Sequence, residues 1–140
     1  SNLQAAVGVA QLERITETIK KKRAVGQMYE YFLKENNNFK LPLEGTSYCE
    51  NIYWVFGIVS LQKKNNAKWC INKLKEHNIG TRPFFYPMHL QKKIKELQKD
   101  KCNYRNSEFI SNFGFYLPSS TTLSERDVSN ICRIINKILK

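Results

Sequence analysis

The chain has 140 residues, of which 41% are apolar and 12% aromatic, enough for one folded domain with a hydrophobic core and unlike a disordered composition. No segment approaches the ~20 consecutive apolar residues that cross a bilayer, and Ser1–Ala10 lacks the basic flank and apolar run of a signal peptide. The formal net charge is +11, but 17 of the 23 basic residues are Lys, whereas proteins that read bases and phosphates rely mainly on the bidentate guanidinium of Arg.

The cysteines are too widely spaced to predict a metal site. Cys49, Cys70, Cys102 and Cys132 form no C-x2-C pair, and no H-x3-H pair accompanies them. Cys70 and Cys132 fall on apolar faces of predicted helices, so we expect buried, reduced thiols. The first residues are helix-like and lack an initiator Met, which predicts a fragment of a cytoplasmic protein.

Residues 3–35 are predicted to form one long helix that is broken or bent once. Leu12 and Ile15 recur at helical spacing, and so do the apolar residues after Gly26. The charged run before Gly26 predicts the bend near residues 21–26. The first turns are rich in Ala and Gly, which would let another backbone come close, although helix propensity alone also explains the alanines.

The clearest predicted strand is Ile52–Leu61, which is apolar on both faces, as in a central strand. The Asn-, Pro- and Gly-containing residues before it are predicted to be irregular. After the strand, Asn65 or Asn66 is expected to cap a helix. Its apolar stripe contains Ala67, Cys70, Ile71 and Leu74, is extended by His77, and ends at Gly80.

A second strand is predicted to start near Thr81 and to leave the sheet as a proline-stiffened loop, Pro83–His89. A Lys-rich helix at 91–100 follows. A short helix at Asn106–Phe113 then precedes a third strand at Gly114–Pro118.

The last helix is predicted to begin at a capping box of Ser124 and Asp127 and to carry a clean apolar stripe. The resulting order alternates helices and strands in an α+β fold. We expect a small, mainly antiparallel sheet with helices packed on one face, preceded by the long bent helix. This forms a single domain over residues 1–140, and it is not the doubly wound sheet of nucleotide-binding proteins.

Two basic clusters, Lys20–Arg23 and Lys92–Lys101, are the remaining argument for nucleic-acid binding. Neither is interleaved with aromatic residues on which bases stack, so we interpret both as solvated faces. A basic binding or dimerisation module without catalysis is the alternative function.

The chain contains none of the short motifs that carry their own chemistry. It has no G-x-G-x-x-G, P-loop, G-x-S-x-G or H-E-x-x-H. Its acidic residues are few and scattered, so no carboxylate pair is apparent. A Cys–His nucleophilic pair stays open, but no local signature supports one.

The segment Arg82–His89 is the best candidate for a functional site. It places a cation, aromatic rings, a phenol and an imidazole on a loop held between Pro83 and Pro87. Rigid aromatic side chains with a few polar tips suit a sugar, and the prolines lower the entropy lost on ordering the loop. The alternative is structural: both phenylalanines belong to the core, the tyrosine covers the surface and the histidine is satisfied within the loop.

Four blocks, in order along the chain, match motifs of one known family. They are Ser1–Glu13 (SNLQAAVGVAQLE), Asn51–Phe56 (NIYWVF), Gly80–His89 (GTRPFFYPMH), and Asn106–Glu108 (NSE) followed by Gly114–Ser119 (GFYLPS). They resemble the C-terminal part of the DegT/StrS-type sugar-nucleotide aminotransferases, a group that includes perosamine synthase. The resemblance spans nearly the whole chain.

The resemblance implies a fold-type-I, pyridoxal-phosphate-dependent aminotransferase that is active as a homodimer with sites at the subunit interface. Such enzymes transfer an amino group from glutamate to a keto-deoxy-sugar linked to a nucleoside diphosphate. The resemblance also implies that the Schiff-base lysine and the cofactor contacts lie in a preceding large domain. On that basis this chain holds no catalytic or cofactor-binding residue, and alone it is expected to be inactive.

The resemblance further implies that this chain supplies one wall of the sugar pocket. His89 matches the family histidine that faces the sugar. The candidate substrate contacts are, in order of strength, His89, Tyr86, Phe85 and Arg82. The sequence departs from the family pattern at two places. Gln91 follows the turn at His89, soon after which the family often has proline, and Tyr104 stands where proline is common. Both departures concern the path of the chain after His89.

Overall fold

The computed structural model describes residues 1–97 and 102–139. The helices in this part of the chain are α1 (Asn2–Leu12), α2 (Ile15–Leu33), α3 (Ala67–Lys75), α4 (Lys92–Leu97), α5 (Arg105–Phe113) and α6 (Glu125–Ile138). The strands are β1 (Phe39–Lys40), β2 (Gly45–Thr46), β3 (Cys49–Glu50), β4 (Phe56–Ser60), β5 (Arg82–Pro83) and β6 (Gly114–Leu117). A 3-10 turn covers Met88–Leu90.

Four of the strands form one sheet in the order β1-β4-β6-β5, and β2 pairs with β3 in a separate hairpin. Each of these pairings is antiparallel. In the central pair, Ile58 of β4 lies opposite Phe115 of β6, and Gly57 lies opposite Tyr116. The predicted α+β fold with a small antiparallel sheet is confirmed.

The hydrophobic core lies between the inner face of this sheet and helices α2, α3 and α6. Phe56 and Ile58 of β4 and Phe115 and Leu117 of β6 are buried on this face. Tyr29 of α2 stacks on Phe56 with 4.8 Å between the ring centroids. Its hydroxyl donates to a backbone carbonyl just after β6, and burial raises the pKa of the phenol.

Helices α3 and α6 begin where the sequence predicts. The Asn66 side chain accepts a hydrogen bond from the first turn of α3. Ser124 and Asp127 form the predicted capping box, and their hydrogen bonds lower the pKa of the Asp127 carboxyl. Cys70 and Cys132 are buried as predicted, which raises the pKa of these thiols to about 11 and about 12.

The long N-terminal helix is interrupted at Glu13–Arg14, between α1 and α2, so the predicted bend at 21–26 is wrong. Gly26 lies in continuous helix and is buried because the ring of Tyr53 packs against its backbone. A Cβ at this position would overlap the ring. Close approach of a side chain, and not a bend, therefore accounts for the glycine.

The predicted strand Ile52–Leu61 pairs only over Phe56–Ser60, because the backbone turns at Tyr53. This residue has φ of 49°, in the left-handed region that is unfavourable for a side chain. Its hydroxyl donates to Glu30 at 2.7 Å, and its N–H donates to the Asn51 side chain at 2.7 Å. These contacts hold the turn in place.

The chain leaves α3 through Asn78, and the predicted stop at Gly80 is wrong. Asn78 has φ of 58°, which Asn tolerates better than most residues. The N–H of Ile79 donates to the Leu74 carbonyl at 3.1 Å. His77 is exposed beyond the helix and does not extend its buried stripe.

The basic cluster Lys20–Arg23 is not the fully solvated face that we predicted. Lys22 is half-buried, and its Nζ donates to the carbonyls of Trp54 at 2.9 Å and Ser119 at 2.6 Å. Arg23 forms an ion pair with Glu50. Lys22 therefore joins α2 to the segments that flank β4 and β6, and Arg23 joins it to β3. Part of the second cluster, and of the predicted Lys-rich helix, lies outside the described residues.

Helix α1 buries none of its side chains against the described part of the chain. Leu3, Val7, Val9 and Leu12 are all exposed. A capping box between Ser1 and Gln4 starts the helix. That another backbone approaches its small residues stays a prediction.

Candidate functional site

The segment predicted to be functional begins on the edge of the sheet. Arg82 of β5 lies opposite Tyr116, and Pro83 lies opposite Phe115. Proline is compatible with an edge strand because its missing N–H removes no inner ladder bond. The next residue, Phe84, still donates its N–H to the Gly114 carbonyl at 3.1 Å. The loop therefore leaves a paired strand with a defined direction.

Phe84 fastens the loop to the outer face of the sheet. Its ring lies over Gly57 and Gly114, positions at which a Cβ would overlap the ring or come within 2.5 Å of it. The same ring packs edge-on against Tyr116, with the centroids 4.6 Å apart. Two glycines on neighbouring strands thus form a flat seat for one aromatic side chain.

The next two side chains project into solvent. Phe85 is 72% exposed and Tyr86 is 60% exposed, so the alternative that places Phe85 in the core is wrong. The Tyr86 hydroxyl approaches the Leu90 carbonyl at 3.5 Å, and Pro87 is buried. The loop therefore exposes the rings of Phe85 and Tyr86, while the residues on either side of them are held against the protein.

His89 lies in the 3-10 turn and faces α5. Its Nε2 is 3.0 Å from Oε1 of Glu108, and only 15% of its side chain is exposed. The ring of Tyr104 covers one side of the imidazole, with the centroids 4.6 Å apart. Glu108 belongs to the NSE block, but nothing in its spacing from His89 indicated that the two would meet.

The four predicted site residues occupy one continuous segment, but they point in different directions. Phe85 and Tyr86 face solvent, His89 faces Glu108, and Arg82 is exposed on β5 opposite Tyr116. Their role toward a substrate stays a prediction.

A cavity of about 750 Å³ on the outer face of the sheet was not predicted as a site. It is mostly apolar, and α5 borders it. Its lining includes Trp54, Val55, Val59, Phe84, Ile110 and Tyr116. The sequence did contain a signal for this cavity. The residues of β4 are apolar on both faces of the strand, but helices α2, α3 and α6 cover only one of these faces. Of the predicted loop at residues 82–89, only Phe84 lines this cavity.

The buried thiols of Cys70 and Cys132 do not suit a nucleophilic role. The two buried thiols have raised pKa values because they are desolvated, so they are poor nucleophiles near neutral pH. His89 pairs with a carboxylate instead of a thiol. Within residues 1–97 and 102–139, no cluster of His, Cys, Asp and Glu could hold a metal ion. In the same part of the chain, no helix is long and apolar enough to span a membrane.

Comparison with known proteins decides the family. Residues 1–136 match the DegT/DnrJ/EryC1/StrS aminotransferase family. The chain belongs to this family. It is 33% identical to the GDP-perosamine synthase of Vibrio cholerae over 96% of this chain and 36% of that protein. It is 30% identical to the GDP-perosamine synthase of Escherichia coli O157:H7, over 98% and 36% respectively.

Solved aminotransferases share the fold of this DegT-family chain. The apo form of Spr1654 of Streptococcus pneumoniae superposes with a TM-score of 0.86 at 18% identity, over 99% of this chain and 35% of that one. Helicobacter pylori PseC gives 0.82 at 19% identity, over 97% and 36%. At these identities the likeness shows the fold alone. The chain spans about a third of the length of the relatives that it matches.

The residues of the loop do not fit the cofactor that the family implies. Pyridoxal phosphate is held by a lysine amine in a Schiff base and by donors to its phosphate. Residues 82–90 contain no lysine. Lys40, at the rim of the outer-face cavity, is exposed on the edge strand β1. The chemistry of that group is therefore not assigned to these residues.

Proposed function

We propose that the chain is the C-terminal part of a pyridoxal-phosphate-dependent aminotransferase that transfers an amino group from glutamate to a nucleotide-linked keto-deoxy-sugar. In this proposal the chain supplies one wall of the sugar pocket through the loop at residues 82–90. The observation that carries the proposal is the geometry of that loop. Phe84 and His89 anchor it at both ends, while Phe85 and Tyr86 remain exposed between them.

Such a loop suits a sugar for physical reasons. Aromatic faces cover the apolar C–H surface of a pyranose, while the phenol of Tyr86 and the imidazole of His89 can exchange hydrogen bonds with hydroxyls. Because the loop is already fastened to β6 and α5, little conformational entropy is lost on binding. The names of the relatives, both GDP-perosamine synthases, support a nucleotide-linked sugar as the substrate class.

The proposal includes a larger domain of the same polypeptide and a second copy as partners, in a cytoplasmic homodimer. The chain covers 36% of the Vibrio cholerae relative, which leaves room for a domain that holds the cofactor. This chain has two apolar surfaces against which such a domain can pack. One is the outer-face cavity, and the other is α1, with Leu3, Val7 and Leu12 exposed. Burial of such surface is the main driving force for domain packing.

The first test is His89→Ala in the longer enzyme that contains this chain. We expect kcat/KM for the keto-sugar to fall roughly 10- to 100-fold, which corresponds to about 1.4–2.7 kcal/mol at 25 °C. The reason is the loss of one hydrogen bond to the sugar from a preorganised side chain. Steady-state kinetics with the nucleotide-linked substrate give the number.

The matched control is His77→Ala, because His77 is the other histidine, is exposed and is not part of the loop at residues 82–90. It should retain wild-type kinetics. In His89→Ala, the cofactor absorbance and the half-reaction with glutamate should stay near wild type, since neither needs the sugar pocket. Loss of cofactor, or unchanged kinetics with the sugar, would show that His89 has a structural role instead.

The second test uses the 140-residue chain alone. Incubation with one equivalent of pyridoxal phosphate and then borohydride should give no stoichiometric adduct at a single lysine, and no transamination should be detected, because in this proposal the Schiff-base lysine lies in the larger domain. A full-length family enzyme treated in the same way should gain one cofactor mass. A stoichiometric adduct at one lysine of this chain, together with activity, would contradict the proposal.

A further inference from the structure

Glu108 is the direct partner of His89, and no feature of the sequence assigned it a role. It lies on α5, 19 positions after His89. Its carboxylate is 44% exposed, whereas the imidazole is 15% exposed. The contact therefore joins a half-exposed carboxyl group to a largely buried ring, at a distance of 3.0 Å.

The chemistry of this pair determines which imidazole nitrogen carries a proton. An ionised carboxylate only accepts hydrogen bonds, so Nε2 of His89 must be the donor. Nδ1 is then the nitrogen that Glu108 does not engage. In the neutral ring it has a lone pair and can only accept. The ring of Tyr104 against one side of the imidazole limits its rotation.

We propose that Glu108 is a positioning residue that holds His89 with Nε2 protonated and Nδ1 free to accept a hydrogen bond from a hydroxyl of the sugar. This inference rests on the proposed function and deepens it, because it makes the site selective for a hydroxyl donor. A sugar that carries an acceptor alone at that position would be left unpaired and would bind more weakly.

The positioning is tested by nitrogen-detected NMR of the histidine side chains in the 140-residue chain. In the wild type, His89 should show a protonated Nε2 whose proton exchanges slowly with water, and an unprotonated Nδ1. His77, which is exposed, serves as the internal control and should show no protected ring proton. Glu108→Gln keeps an acceptor oxygen and should retain the protected signal, whereas Glu108→Ala should lose it.

The consequence for the substrate is tested in the longer enzyme. Glu108→Ala should lower kcat/KM for the keto-sugar about ten-fold, because a misoriented ring no longer meets the hydroxyl. Glu108→Gln should stay within about three-fold of wild type. Glu108→Ala should add little to His89→Ala, since both changes remove the same contact.

The outcomes separate this inference from the proposed function. A protonated Nδ1 in the wild type, or a protected Nε2 proton that persists in Glu108→Ala, overturns the role of Glu108 while leaving a sugar-binding His89 intact. Wild-type sugar kinetics in His89→Ala overturn the proposed sugar contact of His89, whatever the NMR shows. Equal losses in Glu108→Gln and Glu108→Ala would also overturn the inference, because the conservative variant would then fail to rescue.

Discussion

Phe56→Ala is expected to lower the free energy of unfolding of the chain by about 3–5 kcal/mol, because it leaves a large cavity in the middle of the core. Phe56 is fully buried on the inner face of β4. Its ring stacks between Tyr29, at 4.8 Å, and Tyr53, at 5.9 Å. Those rings belong to α2 and to the turn before β4, so neither can easily move into the space.

The measurement is urea denaturation at 25 °C followed by far-UV circular dichroism. A loss of this size consumes much of the ~5–15 kcal/mol that stabilises a typical domain. Should the alanine variant fail to fold, Phe56→Leu, with an expected loss of about 1 kcal/mol, keeps the comparison possible. The control is Phe85→Ala, which removes the same ring from a position that is 72% exposed and should change stability by less than about 0.5 kcal/mol. Equal losses at the two positions would contradict the assignment of the core.

Gly114→Ala is expected to cost about 3 kcal/mol, at the upper end of what overpacking costs in a dense interior. The new Cβ would overlap the Phe84 ring and lie 2.5 Å from the Ile110 carbonyl oxygen. The Phe84 ring cannot move away from the new Cβ without losing its contacts with Gly57 and Tyr116. The change should therefore also displace the loop that starts at Phe84 and weaken use of the keto-sugar in the longer enzyme.

Gly80→Ala is the matched control, because a Cβ there meets nothing within 4 Å. It should leave stability unchanged or raise it by up to about 1 kcal/mol, since alanine restricts the unfolded chain. In a Phe84→Ala background, Gly114→Ala should cost about 1 kcal/mol less than in the wild type, because the main clash is gone. An equal cost in both backgrounds would show that Phe84 does not occupy the seat.

The candidate substrate residues could be predicted only as far as the motif resemblance reached, and their role toward a substrate stays a prediction. The loop Arg82–His89 was identified from its composition and from the family pattern, and the structure shows it as one fastened segment. The role of Phe84 as an anchor was missed, because it depends on two glycines located 27 residues before it and 30 residues after it. The contact between His89 and Glu108 was missed for the same reason.

Local features of this protein were determined by the sequence itself. The capping box of α6, the apolar stripes of α3 and α6, and the apolar run of β4 depend on residues close together in the chain, so local sequence patterns predict them. The tertiary structure alone decided the features that depend on distant partners. Gly26 stays helical because Tyr53 covers it, and Tyr53 adopts a positive φ because Glu30 and Asn51 hold it. A hydrophobic pattern indicates which face is buried but not which side chain will cover it. The choice of that partner determined the turn at Tyr53, the anchoring of Phe84 and the contact between His89 and Glu108.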